Sequence, residues 1–318
     1  ELLRTDRRNR LHLFRNRAQT LVESLTPQER QLLQSYTSGV NSGLAGLKSK
    51  PFEYVALRID PQPWKIEDCF LTIYAMYFDL NDSDGSFEAT LEALYNSLPA
   101  EMADFLAPMG CEWDAPAEGK AIDTPPIPSA DVFSVSSETA LVKGHERIED
   151  AQIFSELGSN NWAVSGKKTA DGRAILANDM HLGISVPNTW FRAMLVWGRE
   201  NSDSFRSIAG VTLPGAPSVV AGTNFHVAWG FTNSFGDWVD LVNVEVNPQN
   251  ENEYLTPDGY KAFEIIETII KVKNAADDTM TVRSTIWGPI IDQNNQGQPR
   301  AVRWIAHDDD GVNLELTK

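Results

Sequence analysis

Hydrophobic residues recur at helical spacing through the first hundred residues of the chain. Between residues 7 and 25, charged side chains alternate with apolar ones placed three and four positions apart, as on one face of a helix. The sequence TPQE at 26–29 is a typical helix start, because Thr26 can cap the helix while Glu29 completes a capping box. A proline-containing break at 60–64 precedes a second, more apolar helix. The pattern predicts a largely helical region.

The hydrophobic pattern changes twice further along the chain. Residues 114–157 are rich in proline, serine and charge and have little apolar periodicity, which is typical of a linker. After Ser159, short apolar runs divided by Gly, Pro and Asn predict strands. Helices followed by many strands favour an α+β fold. We expect further helices at 88–98 and 99–106, and strands at 162–166, 174–177, 191–197, 207–211, 218–221, 226–229, 241–246, 265–272, 280–287 and 301–305.

Composition and charge narrow the classes of partner. The chain has 318 residues, of which 42% are hydrophobic, and a formal net charge of −17. An acidic surface repels phosphate backbones, so we expect no nucleic-acid partner, although carboxylates can hold a hard cation such as calcium. Cys69 and Cys111 are too few for a disulfide framework or a zinc cluster, and no apolar run has membrane-spanning length, so we expect no membrane partner. The chain begins with Glu1 rather than Met, and we interpret it as a fragment truncated at both ends.

The sequence GSNNWAVSG at 158–166 places a serine directly before a predicted strand. One interpretation is an ordinary turn, since Gly, Ser and Asn are common turn residues. If the bond before Ser159 were cut, however, this residue would carry a hydroxyl and an α-amine, whose ordinary pKa of roughly 8 makes it a usable base near neutral pH. Gly158 suits such a cut because it has no side chain to obstruct attack on its carbonyl. The preceding linker would then be a removable spacer.

Taken together, several motifs resemble the penicillin-acylase type of N-terminal-nucleophile hydrolase. They are, in the order of that family, GSNNWAVSG at 158–166, LANDMHLG at 176–183, AWGFTNSFGDWVD at 228–240 and STIWGPI at 284–290. The resemblance implies a four-layer αββα core. It also implies three segments, with 1–113 as the C-terminal part of a helical α chain, 114–158 as a spacer removed or trimmed on maturation, and 159–318 as the N-terminal part of a β chain.

The resemblance implies catalytic roles for individual residues. Ser159 would be the nucleophile and, after cleavage of the Gly158–Ser159 bond, its amine would be the base. His181 occupies a position where the family has Gln or His, and an imidazole there could orient the amine or hold a water; the alternative is a structural histidine at a strand end. The backbone N–H of Asn233 would donate to the oxyanion. A second donor, an asparagine side chain in the family, would lie beyond Lys318.

The resemblance also implies a structural calcium ion and no organic cofactor. Glu88, Asp237, the carbonyl of Val239 and Asp240 match the family's ligands, and hard oxygen donors from distant segments would tie the two chains together. The alternative is a solvated turn with two aspartates.

Apolar residues define the expected acyl pocket. An apolar pocket would select an apolar acyl group by burial, although phenylalanines at such spacing are also ordinary core residues. Phe231 stands where penicillin G acylases have a small polar residue, and Ala221 where they have an aromatic one, which argues against phenylacetyl specificity. The residues on or near pocket positions are Phe78, Leu182, Ala221, Phe231 and Phe235.

We therefore expect a self-processing amidohydrolase that cleaves the acyl amide of a small molecule, either an acyl-homoserine lactone or a β-lactam side chain. Its partners would be that substrate and the α and β chains of one precursor, and the resemblance implies a periplasmic or secreted location. The alternative is a catalytically inactive relative that serves as a binding or structural protein; the combination of Gly158, Ser159 and His181 argues against it. His12 and His145 are expected on the surface.

Overall fold

The computed structural model describes residues 2–111, 114, 116, 118–120, 122–133, 158–199, 202, 204–234 and 236–314. Its helices are α1 Leu2–Leu11, α2 Phe14–Ser24, α3 Pro27–Ala45, α4 Phe52–Leu57, α5 Ile66–Leu80, α6 Ser86–Ser97 and α7 Ala100–Leu106. Its strands are β1 Asn160–Val164, β2 Ile175–Asp179, β3 Phe191–Trp197, β4 Arg206–Thr212, β5 Ala221–Thr223, β6 Ala228–Trp229, β7 Val239–Asn243, β8 Glu253–Thr256, β9 Gly259–Ala262, β10 Glu264–Ile270, β11 Asp278–Ser284, β12 Ile290–Gln293 and β13 Pro299–Trp304. The predicted order of helices followed by strands is confirmed.

The predicted capping box begins α3. The Thr26 hydroxyl accepts from the Glu29 N–H at 3.3 Å, and the Glu29 carboxylate accepts from the Thr26 N–H at 3.0 Å. The helical pattern over 7–25 is divided between α1 and α2, which are separated at Leu13, whose φ of 55° is left-handed. The break turns His12 and Leu13 into the core, where they are 1% and 8% exposed.

The strands described form five small sheets. The largest runs in the order β3-β4-β5-β6, a three-stranded sheet runs β12-β13-β7, and β1-β2, β8-β9 and β10-β11 are antiparallel pairs. The β8-β9 hairpin and β12 were not predicted, since each strand is only four residues long and carries little apolar alternation. The architecture is thus mixed helix and sheet.

One core joins the helical region to the strand region. Phe14, Leu33 and Tyr74 from the helices pack in the same buried cluster as Val302 and Trp304 of β13. Because burial of apolar area is stabilising, by roughly 25 cal/mol per Å², this shared core ties the two regions together.

A pair of histidines lies within this core, which contradicts the expectation that His12 is on the surface. Nδ1 of His12 lies 3.1 Å from Nε2 of His307, and the rings of Phe14 and Trp304 pack around them. Burial, together with the positive charge of Arg17, lowers the pKa of His12 to about 3 and that of His307 to about 2. Both imidazoles are therefore neutral at pH 7. His145 lies outside the described residues.

Polar contacts also cross between the regions. Arg300 of β13 donates to Glu92 of α6 and to Asp292 of β12, each at 2.7 Å, and it is only 7% exposed. Arg7 of α1 makes a two-pronged ion pair with Asp278 of β11 at 2.6 Å. No helix in the described ranges is long and apolar enough to cross a membrane.

Candidate active site

Ser159 lies at the open end of the β1-β2 hairpin. It precedes β1 directly, and the register of the pair sets Asn160 opposite Asp179. The Ser159 hydroxyl donates a long hydrogen bond of 3.5 Å to the carbonyl of Met180, the residue that follows β2. The hairpin thus brings the segment after β2 beside Ser159. The serine itself is half-buried.

His181 lies against the bond that would be cut. A Cβ placed on Gly158 would be 3.3 Å from Nδ1 of His181, so any larger residue at 158 would crowd the imidazole. The other ring nitrogen, Nε2, lies 2.8 Å from the Asp179 carboxylate. Because a carboxylate accepts hydrogen bonds, Nε2 is the donor in this pair, and Nδ1 is the ring nitrogen that lies close to Gly158.

Asp179 was not singled out from the sequence, although its spacing from His181 offered a signal. Asp179 is the last residue of β2, and His181 lies two residues further on. Their side chains meet because His181 adopts a left-handed φ of 42°. That conformation is uncommon for a residue with a side chain and re-aims the imidazole back toward Asp179. A carboxylate-imidazole pair beside a serine can move a proton to or from an attacking hydroxyl.

Asn178, also unassigned from the sequence, connects this hairpin to the segment after β6. Its amide accepts from the N–H of Phe231 and donates to the carbonyl of Phe231, both at 3.0 Å, and it donates to the carbonyl of Asn160 at 3.3 Å. Gly230 permits the approach, since a Cβ there would lie 2.6 Å from the Asn178 side-chain oxygen and 2.7 Å from the Asn161 side-chain nitrogen. The segment that leads to Asn233 is therefore fastened to β1, the strand that follows Ser159.

Asn233 itself lines a cavity of about 310 Å³ between α5 and the loop before β7. Met76, Tyr77 and Trp238, among other residues, also line the cavity, and the indole of Trp238 donates to the carbonyl of Ser234 at 3.1 Å. Asn233 thus shares this cavity with residues of α5.

The expected pocket residues lie in different environments. Phe78 packs its ring 5.2 Å from that of Phe14 and 5.7 Å from that of Trp304, in the core cluster. Ala221 is buried in β5 opposite Val211 of β4. Leu182 is half-buried after β2, Phe231 is exposed, and Phe235 lies outside the described residues. The described part of the chain does not gather these residues into one pocket, and their role in substrate binding stays a prediction.

The expected calcium ligands approach one another across α6 and β7. The start of α6 packs closely on β7, since a Cβ on Gly85 would lie 2.6 Å from the Leu241 side chain. Partial burial raises the pKa of Glu88, and the negative charges of Asp237 and Asp240 raise it further. The donors suit calcium chemically, and a cation would relieve their mutual repulsion.

The same carboxylates do not form a completed metal site. Within the described residues, no group of three or more His, Cys, Asp and Glu side chains is arranged to hold a metal ion. Val239 is buried in β7, where it pairs with Trp304 of β13. The carbonyl of Val239, the expected backbone ligand, is therefore positioned by the pairing of β7 with β13 and not by the three carboxylates.

The chain is similar in sequence to several known proteins. The sequence profile described as penicillin amidase matches residues 1–316. The acyl-homoserine lactone acylase QuiP of Pseudomonas aeruginosa is 27% identical over 81% of this chain and 29% of its own length. The penicillin acylase 2 proenzyme of Pseudomonas sp. (strain SE83) is 28% identical over 85% of this chain and 34% of its own length.

Two further proteins extend the comparison. Penicillin G acylase of Escherichia coli is 24% identical over 86% of this chain and 37% of its own length. The solved structure of a thermostable penicillin G acylase from Alcaligenes faecalis is 26% identical, with a TM-score of 0.30, over 37% of this chain and 21% of that one. The chain spans about a third of the length of the curated relatives that it matches.

Proposed function

The chain belongs to the penicillin amidase family, and on that premise we propose that the complete protein is a self-processing amidohydrolase with Ser159 as its nucleophile. The observation that carries the proposal is the meeting of three groups at one bond. Ser159 directly precedes β1, His181 places Nδ1 close to Gly158, and Asp179 holds the far side of the imidazole. This arrangement suits proton transfer during attack on the Gly158 carbonyl.

Self-cleavage proceeds at the Gly158–Ser159 bond. The Ser159 hydroxyl oxygen attacks the Gly158 carbonyl carbon, the C–N bond breaks, and the hydroxyl proton passes to the departing amine nitrogen. The resulting ester is hydrolysed by water, which leaves a carboxylate on Gly158 and a free α-amine on Ser159. His181, with its acceptor nitrogen beside this bond, takes and returns the proton.

The freed serine then hydrolyses an amide substrate. Its hydroxyl attacks the acyl carbonyl, the α-amine takes the proton and delivers it to the leaving amine, and the acyl group remains on Ser159 as an ester. Water hydrolyses this acyl-enzyme, releasing the carboxylic acid and restoring the serine. The backbone N–H of Asn233 donates to the oxyanion in both steps.

The segments have separate roles in this scheme. Residues 1–113 belong to the α chain, 114–158 to the spacer and 159–318 to the β chain of a four-layer αββα fold. The shared core of Phe14, Tyr74 and Trp304 supports this division, because it provides a means of holding the two chains together after cleavage. Calcium bound by Glu88, Asp237, Val239 and Asp240 adds a second tie, and the convergence of charge on Glu88 supports it.

An acyl-homoserine lactone is the leading substrate, and a β-lactam side-chain amide is the second candidate. Relatives named acyl-homoserine lactone acylase and penicillin acylase support these two classes. Replacement of an aromatic residue by Ala221, and of a small polar residue by Phe231, argues against a phenylacetyl pocket. The resemblance to the family also supports a periplasmic or secreted location.

The experiment that tests the proposal is a substrate panel assayed with the complete protein. Acyl-homoserine lactones of increasing chain length and phenylacetyl and glutaryl β-lactam amides are incubated with the parent and with Ser159→Ala, and the free amine is quantified. We expect release from the lactone series by the parent only. Preferential release from the β-lactams would reassign the substrate, whereas no release from either series would favour the inactive binding relative.

A further inference from the structure

Asn178 makes the contacts that connect the nucleophile strand to the segment carrying the oxyanion donor. Its amide forms a cyclic pair of hydrogen bonds with the backbone of Phe231, accepting from the N–H and donating to the carbonyl, each at 3.0 Å. The same amide donates to the carbonyl of Asn160 at 3.3 Å. One side chain therefore joins three strand ends, since Asn160 begins β1, Asn178 lies in β2 and Phe231 follows β6.

The packing around this amide leaves little room for adjustment. Asn161 and Asn178 are directly opposed in the β1-β2 register, so their side chains lie on the same face of the hairpin. Both reach Gly230, where an added Cβ would be 2.6 Å from the Asn178 oxygen and 2.7 Å from the Asn161 nitrogen. The absence of a side chain at 230 lets the backbone approach the amide closely enough to complete the hydrogen bonds.

The fastened segment is the one that must be positioned for catalysis. Asn233 lies two residues beyond Phe231, and Ser159 lies one residue before Asn160. The Asn178 amide therefore binds the backbone one residue after Ser159 and two residues before Asn233. Donors to an oxyanion act only when they are held at the position where the charge develops, and displacements of about 1 Å can cost roughly a hundredfold in rate.

We propose that Asn178 is a positioning residue that sets the distance between the Ser159 nucleophile and the Asn233 oxyanion donor. The inference rests on the proposed function and adds a residue to it. Asn178 does not touch substrate; it acts through the backbone of Phe231 and Asn160. A hydroxyl or carboxylate at 178 would lose at least one of the donors, and the loop carrying Asn233 would move away from the serine.

The test compares Asn178→Asp with Asn161→Ala in the complete protein. Asn178→Asp keeps the shape and the acceptor for the Phe231 N–H but loses both amide donors and places a carboxylate against two carbonyls. Asn161→Ala removes the opposing side chain at Gly230 and leaves the hydrogen bonds to Phe231 intact, which makes it the matched control. Chain composition by mass spectrometry and circular dichroism establish processing and folding before kinetics are measured.

We expect Asn178→Asp to lower kcat on the order of tenfold to a hundredfold with little change in KM. The reason is that a displaced Asn233 N–H weakens a hydrogen bond that is made to the oxyanion only in the transition state. Asn161→Ala should stay within about threefold of the parent. An unchanged kcat, or a loss confined to KM, in a folded and processed Asn178→Asp protein would overturn the inference while leaving the proposed function intact. An inactive, uncut parent would instead overturn the proposed function and this inference with it.

A second variant covers failure of the first. Asn178→Ser is smaller, introduces no charge and retains one donor. If both variants remain unfolded while Asn161→Ala folds and is processed, Asn178 serves folding alone and the positioning role is wrong. If Asn178→Ser folds and is processed, the same loss in kcat at constant KM is expected of it.

Discussion

Lowering the pH from 7.5 to 5 should destabilise the complete protein through the buried pair His12 and His307. Both side chains have pKa values well below the ordinary 6.5, at about 3 and about 2, because burial and the charge of Arg17 disfavour the imidazolium. In the unfolded chain the two histidines take up protons as the pH falls through 6.5, whereas in the folded protein they do not. Stability is therefore present above pH 6.5 and is lost progressively below it.

The size of the loss follows from the distance between the pH and the unfolded pKa. A pH of 5 is about 1.5 units below the ordinary histidine pKa of 6.5, which applies to the unfolded chain. Protonation then favours the unfolded state by about 2 kcal/mol for each histidine and by about 4 kcal/mol for the pair. This value requires only that both folded pKa values lie below 5. Since a domain has about 5–15 kcal/mol of total stability, such a loss should be readily measurable.

Urea unfolding between pH 7.5 and 5 measures this effect. The double variant His12→Leu with His307→Leu replaces both partners by apolar groups, so we expect nearly parental stability at pH 7.5 and a much smaller loss at pH 5. His226→Gln removes one exposed histidine and should retain the parental pH dependence. Equal pH dependence in the parent and the double variant would refute the reasoning.

Two further predictions concern the contacts between the helical and strand regions. Arg300→Met should lower the free energy of unfolding in urea by about 1–3 kcal/mol, because it leaves the partly exposed Glu92 and Asp292 carboxylates without their cation. The control Arg173→Met, at an exposed arginine, should leave the unfolding midpoint unchanged. Equal effects of the two variants would contradict the prediction. Removal of calcium with a chelator should lower the melting temperature of the parent and not that of Glu88→Gln; a parent that melts at the same temperature with and without chelator would rule out the calcium tie.

Local signals in the sequence predict the elements whose cause is local. The Thr26–Glu29 capping box depends on four consecutive residues, and α3 begins as expected. The break at Leu13 could not be predicted in this way, because its cause is the burial of His12 against His307, at the other end of the chain. A continuous amphipathic pattern gave no indication of a partner so distant in sequence.

The candidate site likewise has one part that the sequence indicates and another that it does not. Ser159 and His181 are identifiable from their motifs, and the β1-β2 hairpin brings their segments together. The hydrogen bonds of Asn178 could not be predicted, because its partner Phe231 lies far along the chain and the contact is to backbone atoms, which carry no residue signature. The acyl pocket was the least predictable part, since an apolar residue suits a pocket and a core equally, as Phe78 illustrates.

Self-processing at Ser159 is the central claim, and the intact mass with N-terminal sequences of the complete protein tests it most directly. The parent should yield two chains, one beginning Ser-Asn-Asn-Trp, whereas Ser159→Ala should remain a single chain. Ser165→Ala, a serine change directly after β1, should be processed like the parent. A parent that stays uncut, or a Ser159→Ala protein that is still cut before residue 159, would contradict the account.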